Sequence, residues 1–356
     1  MDKIETVRGP ISPDEMGITL PHEHLLISTL SWWMEPAEAS KKPLVNAPVT
    51  MDKLGILRRD PFISMDNLKL YDVDVAVEEL KMFRRMGGST LVDLTLPGIG
   101  RDPLALRGIS VDTGTNILVS TGFYIQKTHP PIVKKKSVDE LCEIMVQELT
   151  WGIGNTGIKA GVIGEIGCSY PIHSDERKVM KAAACAQKRT GVPFTVHPPL
   201  RDVENKRVVK MADEILDLVQ KNGANLEKFY MSHMDMSCED IDYHKSIMDK
   251  YEGVILEYDT FGNEIYVDSM YPGAGNPSDR ERVGAIVELC EQGYEKQLLL
   301  SQDICLKISL TKYGGYGYAH ILKHIIPDIE TKGVTKKQIN TMLVENPKRL
   351  FTPSKS

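Results

Sequence analysis

Eight short apolar runs of strand-forming composition alternate with longer segments of helical period along this 356-residue chain. That rhythm predicts an α/β fold, and within it a (β/α)₈ barrel, the TIM barrel architecture. Two further observations favour a closed barrel over an open doubly wound sheet. The alternation fills the chain without a linker, repeat or low-complexity tract, so residues 1–356 read as one domain. No Gly-x-Gly-x-x-Gly turn follows the first run, which counts against a dinucleotide-binding sheet.

The strands are expected at Ile18 to His24, Ser89 to Thr95, Asn116 to Phe123, Ala160 to Gly167, Pro193 to His197, Phe229 to Met234, Gly253 to Thr260 and Gln297 to Ile304. Between them, Val75 to Arg85, Val138 to Thr150, Ser174 to Arg189, Lys206 to Lys221 and Asp279 to Gln292 place apolar residues at i, i+3, i+4 and i+7, the period of an amphipathic helix. Punctuation agrees. Ser174-Asp-Glu-Arg and Ser137-Val-Asp-Glu read as capped helix starts, while Gly87-Gly88 and Gly191 stop helices just before strands. Residues 31–70 break the rhythm with Trp32, Trp33 and four prolines. They read as a long insertion after the first strand, placed to act as a lid over the C-terminal rim of the barrel.

Composition narrows the function. A net charge of -6 leaves no electrostatic footprint for nucleic acid, and the run Lys134 to Lys136 reads as solvated. No window approaches the roughly 18 apolar residues of a membrane helix, and the N-terminus has no apolar leader core. A soluble, cytoplasmic protein acting on a small molecule is expected. The six cysteines show no Cys-x-x-Cys pair, which argues against a disulfide scaffold or a thiolate metal cluster and for most of them being reduced, buried fillers.

The polar residues at strand ends carry the chemistry. Strand alternation turns His22 and His24 of "PHEHL" to one face, as two metal ligands would be. Glu165 lies near the end of the fourth strand, His197 ends the fifth, and His233 and Asp303 stand near the ends of the sixth and eighth. Each could be an ordinary strand-end residue. Together they gather on the C-terminal rim, where this fold builds its sites. Four imidazoles and two carboxylates suit Zn²⁺, Mn²⁺, Fe²⁺ or Co²⁺, and six ligands exceed the needs of one tetrahedral ion. Two ions sharing Glu165 would use all six. Such ions lower the pKa of water, and Asp303 stands ready as the catalytic proton acceptor. His173 and His244 read as surface helix residues, and His129 as a loop residue within reach of the site.

"PHEHL", "AGVIGEIG", "TVHP", "SHMD" and "SQDI", in that order, resemble the metal-dependent amidohydrolase superfamily and its phosphotriesterase family. "GEIGCSYP", "LEYDTFG", "KYGGYGYAHIL" and "ENPKRL" resemble the phosphotriesterase-related branch. The resemblance implies a binuclear centre with His22, His24 and Asp303 on the more buried metal, His197 and His233 on the more exposed one, and Glu165 bridging, with zinc as the expected metal. It also implies a homodimer. Where the family's phosphotriesterase uses a carboxylated lysine, this chain offers Glu165, and Lys159 stands before the strand. That departure points away from phosphotriester hydrolysis.

For the branch, the implied activity is amide hydrolysis of N-acetyltaurine or a related small N-acyl amino acid. A lactonase or carboxylesterase, or weak phosphotriesterase activity, is the alternative, and a non-catalytic small-molecule-binding protein is a third class. Substrate contacts are expected from Tyr124, Tyr258 and Tyr318, with Trp32 or Trp33 as further aromatic candidates and Arg101 and Lys307 as cations for an anionic substrate end.

Overall fold

The computed structural model describes residues 3–202 and 208–353. Eight strands form the barrel: β1 (Ile18–Glu23), β2 (Gly88–Asp93), β3 (Asn116–Thr121), β4 (Val162–Gly167), β5 (Phe194–His197), β6 (Phe229–Met231), β7 (Ile255–Tyr258) and β8 (Leu298–Leu300). Neighbours pair in parallel in chain order from β1 to β8. The seam between β8 and β1 is fastened just past β8, where Asp303 N–H donates to the His22 carbonyl at 3.2 Å. Ser301 Oγ donates to the same carbonyl at 2.7 Å. All eight fall within the stretches expected from sequence or begin one residue before them, and most are shorter. The polar residues His24, His233 and Asp303 therefore stand just beyond the ladders, on the rim.

The helical layer comprises α1 (Val73–Arg85), α2 (Pro103–Thr113), α3 (Val138–Thr150), α4 (Ser174–Thr190), α5 (Ala212–Lys221), α6 (Ile241–Lys250) and α7 (Asp279–Glu291). Ser137 caps α3 as expected, with its Oγ accepting from Glu140 N–H and Glu140 answering the Ser137 N–H. On α4 the cap shifts by one residue. His173 takes the cap position and Ser174 is already helical, because the Glu176 carboxylate accepts from the His173 N–H at 2.9 Å. Gly191 ends α4 at φ 69°, a left-handed turn that glycine adopts without strain. The helix expected from Lys206 starts at Ala212; Lys206 and Arg207 lie outside the described residues.

Two readings of the cysteines and histidines are corrected here. Cys142 on α3 and Cys185 on α4 form a disulfide with Cα atoms 5.9 Å apart. Their separation of 43 residues carries no motif, and only the packing of the two helices brings them together. His244 is fully buried, bonded to Tyr258 Oη at 2.6 Å and Ser237 Oγ at 2.9 Å.

The N-terminal end of the barrel is filled by Val92, Leu118, Val162, Tyr230, Ile255 and Leu299, one inward residue from each of six strands. Ile4 of an N-terminal hairpin and Leu350 and Phe351 of the last helix pack against them. Residues 31–70 form short turns, one helix (Leu54–Arg59) and a strand, Lys69–Leu70, paired with Ile27–Ser28. Leu57, Ile63 and Leu68 of this insertion bury themselves against Ile265, Leu306 and Ile308, anchoring it over the C-terminal rim. Among the described residues, no helix is long and apolar enough to cross a membrane.

Candidate metal centre

The six strand-end residues converge. Glu165 lies at the middle, with Oε2 3.5 Å from His22 Nε2, 3.0 Å from His197 Nδ1 and 3.6 Å from His233 Nε2, and Oε1 3.5 Å from His24 Nε2. Asp303 Oδ1 stands 3.2 Å from His24 Nε2 and 3.7 Å from His22 Nε2. His197 Nδ1 and His233 Nε2 are 2.7 Å apart. His22, His24 and Asp303 make one compact group, and Glu165, His197 and His233 another.

Buried partners behind the rings fix which nitrogen faces inward. His22 Nδ1 donates to Asp259 Oδ2 at 2.9 Å and to Glu257 Oε2 at 3.2 Å. His233 Nδ1 donates to Asp259 Oδ1, and His24 Nδ1 is hydrogen-bonded with Thr95 Oγ1, each at 2.9 Å. With Nδ1 engaged behind, Nε2 of these three rings faces Glu165 and Asp303, the position a cation would take once the ring proton is lost, which is how outer partners prepare imidazoles for a metal. Asp259 is itself within ligand distance of His22 and His233, but it meets their Nδ1 hydrogens and so belongs behind them.

The donor set fits divalent metal. His22 Nε2 is buried and has no hydrogen-bond partner, a loss that a cation at that point would repair. The charges agree. Burial alone would raise the Glu165 pKa, yet the surrounding histidines outweigh it and hold the carboxyl well below its usual range. Burial likewise opposes charge on His22, but Asp259, Glu165 and Glu257 keep its pKa well above the ordinary imidazole value. Glu257 is pushed up to about 8, by burial first and then by Asp259. The pocket is thus an anionic trap in which protons on histidine occupy positions that divalent ions would take.

Backbone strain is concentrated at the same place. His233 (φ 57°) and Asp303 (φ 47°) are the two non-glycine residues with positive φ among those described. Such conformations cost about 1–3 kcal/mol each and persist only when neighbours hold them. Asp259 accepts from the His233 N–H at 3.0 Å. Glu23 accepts from the N–H groups on both sides of Asp303, Gln302 at 2.8 Å and Ile304 at 3.0 Å.

Above the cluster opens a cavity of about 590 Å³, bounded by Trp32 and Phe62 of the insertion, Tyr124, Ile265 and Met270. Tyr124 Oη lies 3.3 Å from His197 Nε2. Five other candidate substrate contacts lie elsewhere. Tyr258 points away from the barrel interior and bonds His244. Tyr318 is buried and donates to the His24 carbonyl at 2.6 Å, supporting the centre from behind. Arg101 is held by Glu148 at 2.6 and 2.8 Å, and Lys307 by Asp66 at 2.6 Å, so neither faces the cavity. Trp33 donates to Ile63 O instead of lining the wall. His129 donates from Nε2 to the Tyr124 carbonyl at 2.7 Å, a loop contact. His173 is exposed, as expected, and stands at the edge of the cavity. The cations on the wall are Lys127 and Arg201, neither singled out by sequence.

A model described as "Phosphotriesterase family" matches residues 2–351. The N-acetyltaurine hydrolase of Danio rerio is 38% identical over 98% of this chain and 98% of its own. Among solved structures, a resiniferatoxin-binding protein from Rhodobacter sphaeroides superposes with a TM-score of 0.92 at 38% identity, covering 98% of this chain and 94% of that one. A lactonase from Listeria monocytogenes superposes with a TM-score of 0.77 at 26% identity, covering 99% and 100%.

Proposed function

The chain belongs to the phosphotriesterase family, and from that premise we propose that it is a metal-dependent amidase cleaving N-acetyltaurine or a related small N-acyl amino acid. One observation carries the reading. A chain 38% identical to an N-acetyltaurine hydrolase over nearly its whole length keeps six ligand-type side chains aimed at one point beneath a substrate-sized cavity. His22, His24 and Asp303 would hold one divalent ion, His197 and His233 a second, and Glu165 both, with Zn²⁺ the expected metal. When bound, the ions supply an acidified water and polarise the acyl C=O.

The protein's own groups do the rest. The Asp303 carboxylate accepts the proton of the attacking water and passes it to the leaving nitrogen, which departs as an amine. Asp259 and Thr95 keep the histidine tautomers in place throughout. Tyr124 contacts the acyl group, and Trp32 and Phe62 cover it and exclude water, giving the insertion its lid role. We further propose a cytoplasmic homodimer.

A second reading, a lactonase or esterase on the same centre, is favoured by the cavity, whose volume exceeds what a small N-acetyl compound fills. The test compares kcat/KM of the metal-reconstituted protein on N-acetyltaurine, an aliphatic lactone and a phosphotriester. The amidase reading predicts N-acetyltaurine first by at least tenfold. Preference for the lactone would replace it.

A further inference from the structure

We propose that Arg201 forms an anion subsite on the cavity wall that holds the sulfonate or carboxylate of the substrate. This rests on the amidase reading for its substrate, but not for the site itself. Arg201 stands on the loop four residues past His197, a stretch of chain that spans at most about 14 Å. Its guanidinium is half-buried on the wall, and one bond is seen to it among the described residues, from Nη2 to the Gly275 carbonyl at 2.6 Å. A guanidinium carries five N–H donors in a planar fork, so most of its capacity is unspent.

Three other arginines make the contrast. Arg101 is forked onto Glu148, Arg59 onto Asp268, and the buried Arg282 onto Asp235 and Asp279. Arg201 makes no ion pair among the described residues. Burial pulls its pKa down, only partly opposed by Tyr271 and Glu239, a cost that an arriving anion would relieve. Among the described residues, the carboxylates bordering the cavity are Glu165 and Asp303, both in the metal centre. Lys127, the other wall cation, is exposed and donates to the Ser31 carbonyl at 2.5 Å. The cavity therefore has a metal-type floor for the amide, apolar sides from Met236 and Ile265, and one forked cation suited to a planar or tetrahedral oxyanion.

Calorimetric titration of the metal-reconstituted protein with ethanesulfonate and, separately, propionate tests the subsite without requiring turnover. Arg201→Gln should weaken the better-bound acid about 10- to 100-fold, while Arg201→Lys, which keeps the charge and can keep the bond to Gly275, should lose less than half that factor. Which acid binds better identifies the substrate's acidic group. Equal affinity in wild type and Arg201→Gln, or no binding of either acid to wild type, overturns the subsite. In a parallel assay, the ratio of kcat/KM on N-acetyltaurine to that on N-propylacetamide should fall at least 20-fold in Arg201→Gln, mainly through KM. Wild type that binds ethanesulfonate through Arg201 yet fails to hydrolyse N-acetyltaurine would refute the substrate reading and leave the subsite standing.

Discussion

The two ends of the barrel solve opposite problems. At the N-terminal end, Val92, Leu118, Val162, Ile255 and Leu299 meet in a dry layer sealed by Ile4, Leu350 and Phe351, where burial itself stabilises. At the C-terminal end the barrel carries His22, His24, Glu165, His233, Glu257 and Asp259, all buried, with His22 Nε2 left unpaired and His233 and Asp303 held at positive φ. Burial there costs energy that the apolar end must offset. One end carries stability and the other stores the strain and charge of a site, so substitutions at the two ends should separate cleanly into folding defects and activity defects.

The sharpest separation is expected from Asp303→Asn. Loss of the proton acceptor should reduce kcat on the amide about 10²- to 10⁴-fold while the melting temperature stays near that of wild type. A large drop in melting temperature instead would blur the two ends. Leu118→Ala should do the reverse. The cavity it opens in the apolar layer costs about 2–5 kcal/mol by denaturant titration, while the specific activity of the folded protein is kept.

His244 joins the two regimes through Tyr258, beneath the rim. Its buried ring has a pKa lowered to about 4, first by burial, against about 6.5 when unfolded. Between those values the unfolded chain binds more protons, so stability should be full above about pH 6.5 and fall by about 3 kcal/mol as pH drops to about 4. Urea midpoints from pH 7 to 4 should decline less steeply in His244→Gln; parallel curves would show that other groups govern acid sensitivity. The smallest effect is expected from Asp259→Asn, which leaves the six inward ligands in place but weakens the hold on His22 and His233. Metal affinity should fall about 10- to 100-fold in a chelator competition, and unchanged affinity would remove Asp259 from the centre.

How legible this was from sequence differs between the same two ends. The strands are readable because each is a short run rich in β-branched, aromatic or apolar residues, and His22 and His24 because period two turns them to one face. The same rule, applied to Ile255–Tyr258 and the residue after it, turns Glu257 and Asp259 inward and Tyr258 outward to α6. The signal for Asp259 was therefore present, in a motif where the tyrosine drew attention. Arg101 and Lys307 were not readable as spent cations, because Glu148 and Asp66 lie 47 and 241 residues away and only the closed barrel brings them together. The Cys142–Cys185 pair and the reach of Arg201 into the cavity depend on loop and helix packing in the same way.

The measurement closest to the central claim is the metal content of the purified protein, set beside that of His22→Asn and of Leu118→Ala. A rim built to hold divalent ions predicts about two per wild-type chain, the same number in Leu118→Ala, and a marked loss in His22→Asn with hydrolysis lost alongside. Hydrolysis by metal-free protein, or a metal content that His22→Asn leaves unchanged, would contradict the account.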